Sequence, residues 1–437
     1  MRPLLIAEAC NPEWTSIPLE GWSHARAIQS LTGGLIVTQI RNREAVLRAG
    51  LIEGLDFTAI DSEAVAARAY KLASFLRGGE GKGWTTATFM SGLVYPTFEK
   101  LVWKVFGERI AAKEFDVVHR VTPTSPTVAG PLAARCKSVG VPMVIGPLNG
   151  GLPWPAGFDA ERRQEREWLS YVRGAYRMMP RFAAMRRDAA AIICGSVHAY
   201  RQEPAEVREK CFYIAENGID PVRFRLFRQR DARRPIRAVF VGRLVPYKGA
   251  DMLLEAAAPL IRAGELTIEL IGDGPMKDQL REMIERENIA SGVSLIGWID
   301  HRELNSRLAE ADVLAFPSIR EFGGAVVLEA MACGVVPIVV NYGGPGELAT
   351  ERTGYLIPLG NRSEIVAQLR DVLAKLATNP AEIDAKSPLA RWRAMEEFTW
   401  DHKAKQVMRV YEWVCRPGTG KPEFYMPAAG EREAKQK

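Results

Sequence analysis

Glu321 and Glu329 stand with seven residues between them in the stretch REFGGAVVLEAMACG. The first precedes a glycine pair, Gly323-Gly324, and the second falls inside the apolar run that follows. A glycine turn that opens a helix aims free backbone N–H groups and the positive end of the helix dipole at an anion. Ala325 and Val326 would begin that helix. Glu329, a turn or so further in, is set back from the anion and placed to accept hydrogen bonds from ribose hydroxyls, while Glu321 would lie nearer a sugar. Its neighbours Val326, Val327, Leu328, Ala330 and Met331 are apolar, so the Glu329 carboxylate needs a partner, because a buried unpaired charge is costly. Upstream, GRLVPYKG carries Gly242, Arg243 and Lys248. A planar guanidinium and a mobile ammonium neutralise the charge that grows on a diphosphate leaving group. Taken alone, each of these residues reads equally well as a solvated charge. Together they suit a nucleoside diphosphate.

The elements that must position them are short apolar runs. They are LLIAEA, GLIVTQI, DFTAI, DVVH, VPMVIG, AAIICG and CFYI in the first half, and RAVFVG, TIELIG, VSLIG, DVLAF and VPIVV in the second. Continuous apolar strands separated by helical patterns predict parallel sheets covered on both faces. The fold class expected is α/β, with two doubly wound, Rossmann-like domains facing a cleft. Ligands of such sheets bind beyond the carboxyl ends of the strands. The expected boundaries are a first domain over 1–220, an Arg-rich linker over 221–235 and a second domain over 236–395. A helix over 396–415 crosses back to the first domain, and a disordered tail covers 416–437.

The chain has 437 residues, 47% of them hydrophobic and 25% charged, which is ordinary for a globular protein with sizeable cores. Its formal net charge of +6 favours anionic partners. The 6 cysteines are scattered without a CxxC pair, which argues against a zinc site or disulfide framework and for a reducing compartment. The start MRPLLIAEAC lacks the apolar core of a signal peptide, and no apolar run is long enough to span a bilayer. The expected setting is cytoplasmic. Two stretches hint at a peripheral contact with the cytoplasmic membrane face. One is TFMSGLVYPTFEKLVWKVF. The other is the Arg-rich run from Glu161 to Asp188 with Trp168, Tyr171, Tyr176 and Phe182.

GRLVPYKG, LIGDGP, LIGW and EFGGAVVLEAMACGVVPIV closely resemble the carboxyl domain of retaining glycosyltransferases of the GT-B fold, the large family four, also called glycosyl transferases group 1. The resemblance is strong over roughly residues 236–356 and weaker before. It implies transfer of a hexose-type sugar from a nucleoside-diphosphate sugar, UDP- or GDP-linked, to a saccharide or lipid-linked acceptor in polysaccharide or glycoconjugate biosynthesis. It implies no cofactor, no metal and no nucleic-acid partner. By position, Arg243 and Lys248 match the diphosphate clamp and Glu329 the ribose ligand. Glu321, Phe322, Gly323 and Gly324 match the sugar-and-phosphate loop. Gly272 and Asp273 of the GDGP turn, with Gly297 and Trp298, line the donor, and backbone groups at the latter pair form the base pocket. His119, ending DVVH, matches a histidine near the transferred sugar. Asn217 and Gly218 of ENGID match a further expected segment.

The amino half departs from the family at its first loop, which carries the lone Gly21 before Trp22 where two adjacent glycines are usual. Gly21 and Trp22 are still expected at the donor. Asn149, Gly150, Gly151 and Leu152, in a loop after a strand, are expected on the acceptor side. A non-catalytic nucleotide-sugar-binding protein and a GT-B sugar-nucleotide epimerase are the alternative readings.

Overall fold

The apolar runs pair into two all-parallel sheets in a computed structural model that describes residues 1–63, 84–164, 180–229 and 235–427. The first sheet contains β1 (Pro3–Ala7), β2 (Leu35–Gln39), β3 (Phe57–Ile60), β4 (Val117–Thr122), β5 (Met143–Leu148), β6 (Ala191–Cys194) and β7 (Cys211–Tyr213). Its order is β3-β2-β1-β4-β5-β6-β7. The second contains β8 (Ile236–Val241), β9 (Leu266–Ile271), β10 (Val293–Gly297), β11 (Val313–Phe316), β12 (Val336–Val340) and β13 (Tyr355–Ile357). Its order is β10-β9-β8-β11-β12-β13. The edge strand β13, three residues long, has too short an apolar run to stand out in the sequence.

Alternation along β1 shows why both faces are covered. Leu4 and Ile6 enter one core with Val118 and Ile145, while Leu5 and Ala7 enter another with Val117 and Val144. The described end of helix Trp84–Ala111 fills the first core with Tyr95, Phe98, Val102, Phe106 and Ile110. Helices Ile17–Thr32 and Trp400–Cys415 close the second, the latter through Val407, Val410 and Tyr411. In the second sheet, helices Ala250–Arg262 and Arg362–Thr378 pack together, as do helices Ala325–Ala332 and Ala381–Glu397.

The described residues divide into two compact units. The first takes those of Met1–Gly151, Glu165–Gly218 and Trp400–Met426; the second takes those of Leu152–Gln164 and Ile219–Thr399, with Pro427. Several sequence expectations change here. The described part of the expected linker belongs to the second unit: Phe224 is buried, and Arg228 is a buried ion-pair partner of Asp312 at 2.9 Å and of Asp384. The tail read as disordered is packed as far as Phe424, whose ring meets Phe212 at 6.1 Å and lies under Arg409 at 5.2 Å. The amphipathic stretch around Pro96 is core from Tyr95 onward rather than a membrane face. In the Arg-rich run, Phe182 is buried with the Arg186 guanidinium 3.4 Å above its ring. Trp168, Tyr171 and Tyr176 lie outside the described residues. Among the described residues no helix is long and apolar enough to cross a membrane.

Candidate donor site in the second unit

The order of the second sheet reverses between β8 and β11, and such a switch point is where open α/β sheets take ligands. The residues singled out in the sequence follow these two strands. After β8 the chain makes a single 3₁₀ turn, Pro246–Lys248. Tyr247 O accepts hydrogen bonds from Ile319 N at 2.9 Å and Ser318 Oγ at 3.3 Å, which ties that turn to the loop after β11. The tie sets Lys248 Nζ in an ion pair with Glu321 Oε2 and 5.1 Å from the Phe316 ring centre. Burial, joined by the nearby Arg243 guanidinium, pulls the Lys248 ammonium down to about 7. The Glu321 carboxylate in contact with it opposes that shift. Arg243 itself is exposed.

Gly324, at a φ of 73°, caps helix Ala325–Ala332 and lets the chain turn sharply into it. No side chain caps this end; Val327 N turns back to Gly324 O at 2.9 Å, and among the described residues the N–H groups of Ala325 and Val326 are left to take an outside acceptor. On the helix, Val327, Leu328, Ala330 and Met331 are buried in the unit. Glu329 is on the less enclosed side and receives a 2.7 Å hydrogen bond from His301 Nε2. That is the partner its apolar neighbourhood demanded.

Two neighbouring stretches, neither of them in the sequence-derived site beyond Leu152, hold this loop in place. The turn at Gly343-Gly344 lies against it, with Gly344 N donating to Glu321 O at 3.1 Å. A Cβ on Gly344 would sit 2.4 Å from Gly323 O and 2.5 Å from Phe322 O, so the approach requires glycine. The residues after Gly151 supply the second prop. Arg320 donates to Leu152 O at 3.2 Å and lies over the rings of Trp154 at 5.0 Å and Phe322 at 5.1 Å, and Tyr342 Oη donates to Pro153 O at 2.9 Å. Leu152, expected on the acceptor side, is buried as a buttress of the loop that carries Glu321. The sequence signal for the first prop was present in NYGGPGEL, whose paired glycines follow a strand as those at Gly323-Gly324 do.

The turns after β8, β9 and β10 interlock. Gly242 N donates to Ile271 O at 2.9 Å, Leu244 N to Asp273 O at 2.9 Å, and Gly272 N to Gly297 O at 2.8 Å. Asp273 is exposed, and its carboxylate accepts from Gly274 N at 2.8 Å and Lys277 at 3.2 Å. The GDGP turn therefore satisfies itself. Trp298 carries an exposed indole at 70%, beside the Gly297 backbone.

The first-unit residues fare differently. His119 is fully enclosed: Nε2 donates to Gly146 O at 2.7 Å, which leaves Nδ1 to accept from Tyr411 Oη at 2.6 Å. Burial pushes its imidazole down to about 4. The neutral ring has both nitrogens engaged within the first unit, as a core strut does, so in the free protein His119 offers no nitrogen to a substrate. Asn149 is likewise buried, donating to Glu216 Oε2 at 2.5 Å and accepting from Ser196 Oγ at 2.8 Å and Gly150 N at 2.8 Å. Its amide is thus engaged inside the unit through both its nitrogen and its oxygen. Gly151 O faces His198 Nε2 at 3.2 Å. Gly21 is buried against the Ala9 backbone and Gly218 against the Trp400 ring, both packing roles. Trp22 packs on the first unit's core, and Asn217 is buried.

A two-sheet parallel α/β architecture of this kind, with basic residues and a glycine-capped helix at the switch point of the second sheet, is the GT-B fold. Residues 223–381, which make up most of the second unit, match the family model described as Glycosyl transferases group 1. Glycogen synthase of Mycobacterium tuberculosis is 30% identical over 217 residues, 49% of this chain and 51% of that one. Alpha-maltose-1-phosphate synthase of the same organism is 28% identical over 327 residues, 70% of this chain and 81% of that one. The chain thus spans about half the length of the first of these relatives. The solved structure of Anabaena Alr3699/HepE in complex with UDP superposes with a TM-score of 0.60 at 15% identity, covering 94% of this chain and 100% of that one, which establishes the likeness of fold.

Proposed function

We propose that this protein is a retaining glycosyltransferase. It moves a hexose from a UDP- or GDP-linked donor to a saccharide or lipid-linked acceptor, and it does so without a metal ion. The observation that carries the reading is the Lys248–Glu321 ion pair at the switch point of a group 1 sheet. In the free protein the Lys248 ammonium has Glu321 as its counter-ion. A donor diphosphate replaces Glu321 there and joins the helix N–H groups at Ala325 and Val326, while the Glu321 carboxylate becomes available to sugar hydroxyls.

In the reaction the bond between the anomeric carbon and the diphosphate oxygen breaks. The acceptor oxygen bonds to that carbon on the same face, and the acceptor proton passes to the departing diphosphate oxygen. No protein base is required, which agrees with the enclosure of His119. Lys248, Arg243 and the helix terminus stabilise the charge that grows on the leaving group. The relatives named glycogen synthase and alpha-maltose-1-phosphate synthase, with the UDP-bound Anabaena structure, support a sugar nucleotide as donor.

Incubation with a panel of UDP-, GDP- and ADP-sugars and acceptor extracts, with nucleotide release followed in the presence of EDTA, tests the reading. Release with one donor class is expected, and the product keeps the donor's anomeric configuration. Release with none refutes the enzyme. Activity lost in EDTA and restored by Mg²⁺ refutes the metal-free step.

A further inference from the structure

We propose that His301, aligned by Arg223, positions Glu329 to select a ribose over a deoxyribose; this rests on the reading of the second unit as a nucleotide-sugar site. Neither residue belongs to the loop that carries the charges described above. His301 lies just beyond β10, and Arg223 lies in the turn that precedes β8 by a dozen residues or so.

The direction of the hydrogen bonds follows from chemistry. A guanidinium only donates, and Arg223 Nη2 is hydrogen-bonded to His301 Nδ1. Nδ1 must therefore accept, which puts the proton of a neutral ring on Nε2. That proton is donated to Glu329 Oε1 at 2.7 Å. Phe224 meets the imidazole edge to face at 5.7 Å and fixes its plane. A lysine or arginine in place of His301 would saturate the carboxylate as a counter-ion. A neutral N–H instead holds one oxygen and leaves the charge available, and among the described residues no partner takes Oε2. The Glu329 side chain is 12% exposed, so that oxygen is reachable.

A glutamate has three side-chain torsions to fix, and one fixed in advance loses less freedom when it binds. The pairing thus converts a flexible carboxylate into a rigid acceptor on the second turn of the helix whose first turn takes phosphate. The spacing between a phosphate and the ribose hydroxyls of one nucleotide is then set by the helix itself.

The test is equilibrium binding of UDP and GDP, each beside its 2′-deoxy and 3′-deoxy counterpart, to the full chain. Wild type is expected to prefer the ribonucleotide by about tenfold or more, the value of one hydrogen bond to a charged group. His301→Ala is expected to reduce that preference to about threefold or less. His301→Gln, whose amide nitrogen reaches the Nε2 position, keeps it; His301→Asn, whose amide reaches only the Nδ1 position, loses it. Arg223→Leu, which does not touch Glu329, gives an intermediate loss. Glu329→Gln loses the preference, and adding His301→Ala to it costs nothing further, because the histidine acts only through that carboxylate. Full preference in His301→Ala and His301→Asn overturns the proposal while the site reading stands. A folded wild-type chain that binds none of these nucleotides overturns both.

Discussion

Substituting Lys248 by methionine keeps most of the side chain's length and removes its charge, and the consequence for nucleotide binding can be worked out. In the free protein burial and Arg243 bring this ammonium down to about 7. Against a diphosphate it returns to the ordinary lysine range near 10. A group whose pKa rises on binding takes up a proton. Affinity is therefore complete below the free-protein value and falls as pH climbs through it. Between pH 7 and pH 9 the charged fraction of the free protein drops by up to about fiftyfold, and the affinity for UDP or GDP drops with it. The Glu321 carboxylate against Nζ moves this window upward and does not reverse its sign. The terminal phosphate is already ionised above its own value near 6, so it adds nothing in this range. In Lys248→Met the slope above pH 7 vanishes. At pH 7 the affinity falls by about 10- to 150-fold, the loss of a charge-assisted hydrogen bond. Calorimetric titration with the nucleoside diphosphate at pH 7, 8 and 9, with the bare nucleoside as control, reads both numbers. Wild-type affinity that rises with pH, or a slope that persists in Lys248→Met, refutes the clamp.

Two further predictions concern stability. Arg228→Leu takes from Asp312 its buried guanidinium partner, while the other carboxylate oxygen still accepts from Arg237 N at 3.0 Å. Breaking a buried pair in this way costs about 3–5 kcal/mol, which urea unfolding of the second unit should report; a loss below about 1 kcal/mol would contradict the buried role. His119 is held neutral with its value near 4, whereas the unfolded imidazole protonates near 6.5. The unfolded state therefore binds the extra proton, and stability is lost as pH falls from about 6.5 toward 4, by about 3 kcal/mol in all. His24, also buried and lowered by desolvation, adds to the loss, so His119→Gln should flatten the slope in part. An unchanged slope would show that His119 titrates freely in the folded chain.

The sheets were legible because their signal is local. Each of twelve apolar runs declares itself within a few residues, and the turns after them carry the charges and glycines. The loop after β11 and its glycine-capped helix were legible for the same reason, since Glu321, the glycine pair and Glu329 share one short stretch. What sequence could not reveal are pairings across long separations. Nothing near Arg228 points to Asp312, and its Arg-rich surroundings read as a solvated linker. DVVH does not disclose that its histidine meets Tyr411, nor does NGG disclose that Asn149 is claimed by Glu216 and Ser196. A polar residue at a strand end is equally fit to face a ligand or to brace a core, and only its distant neighbours decide. His301 was hidden in the same way, because its meaning comes from Arg223 before β8 and Glu329 after β11.

The first unit is assembled from separated stretches of chain, the last being the one that begins at Trp400. Val407, Val410 and Tyr411 close the side of its sheet against which Ala25 and Ile28 pack, and Lys403 donates to Ala215 O. As the chain leaves the ribosome, that face waits uncovered while the whole second unit is made. At about 5–20 residues per second the interval is on the order of ten seconds to half a minute or more. The second unit has nearly all its sequence by then and can fold first. In the cell the order of folding is expected to run against the order of synthesis, and the exposed apolar face of the nascent first unit is where a chaperone has reason to bind.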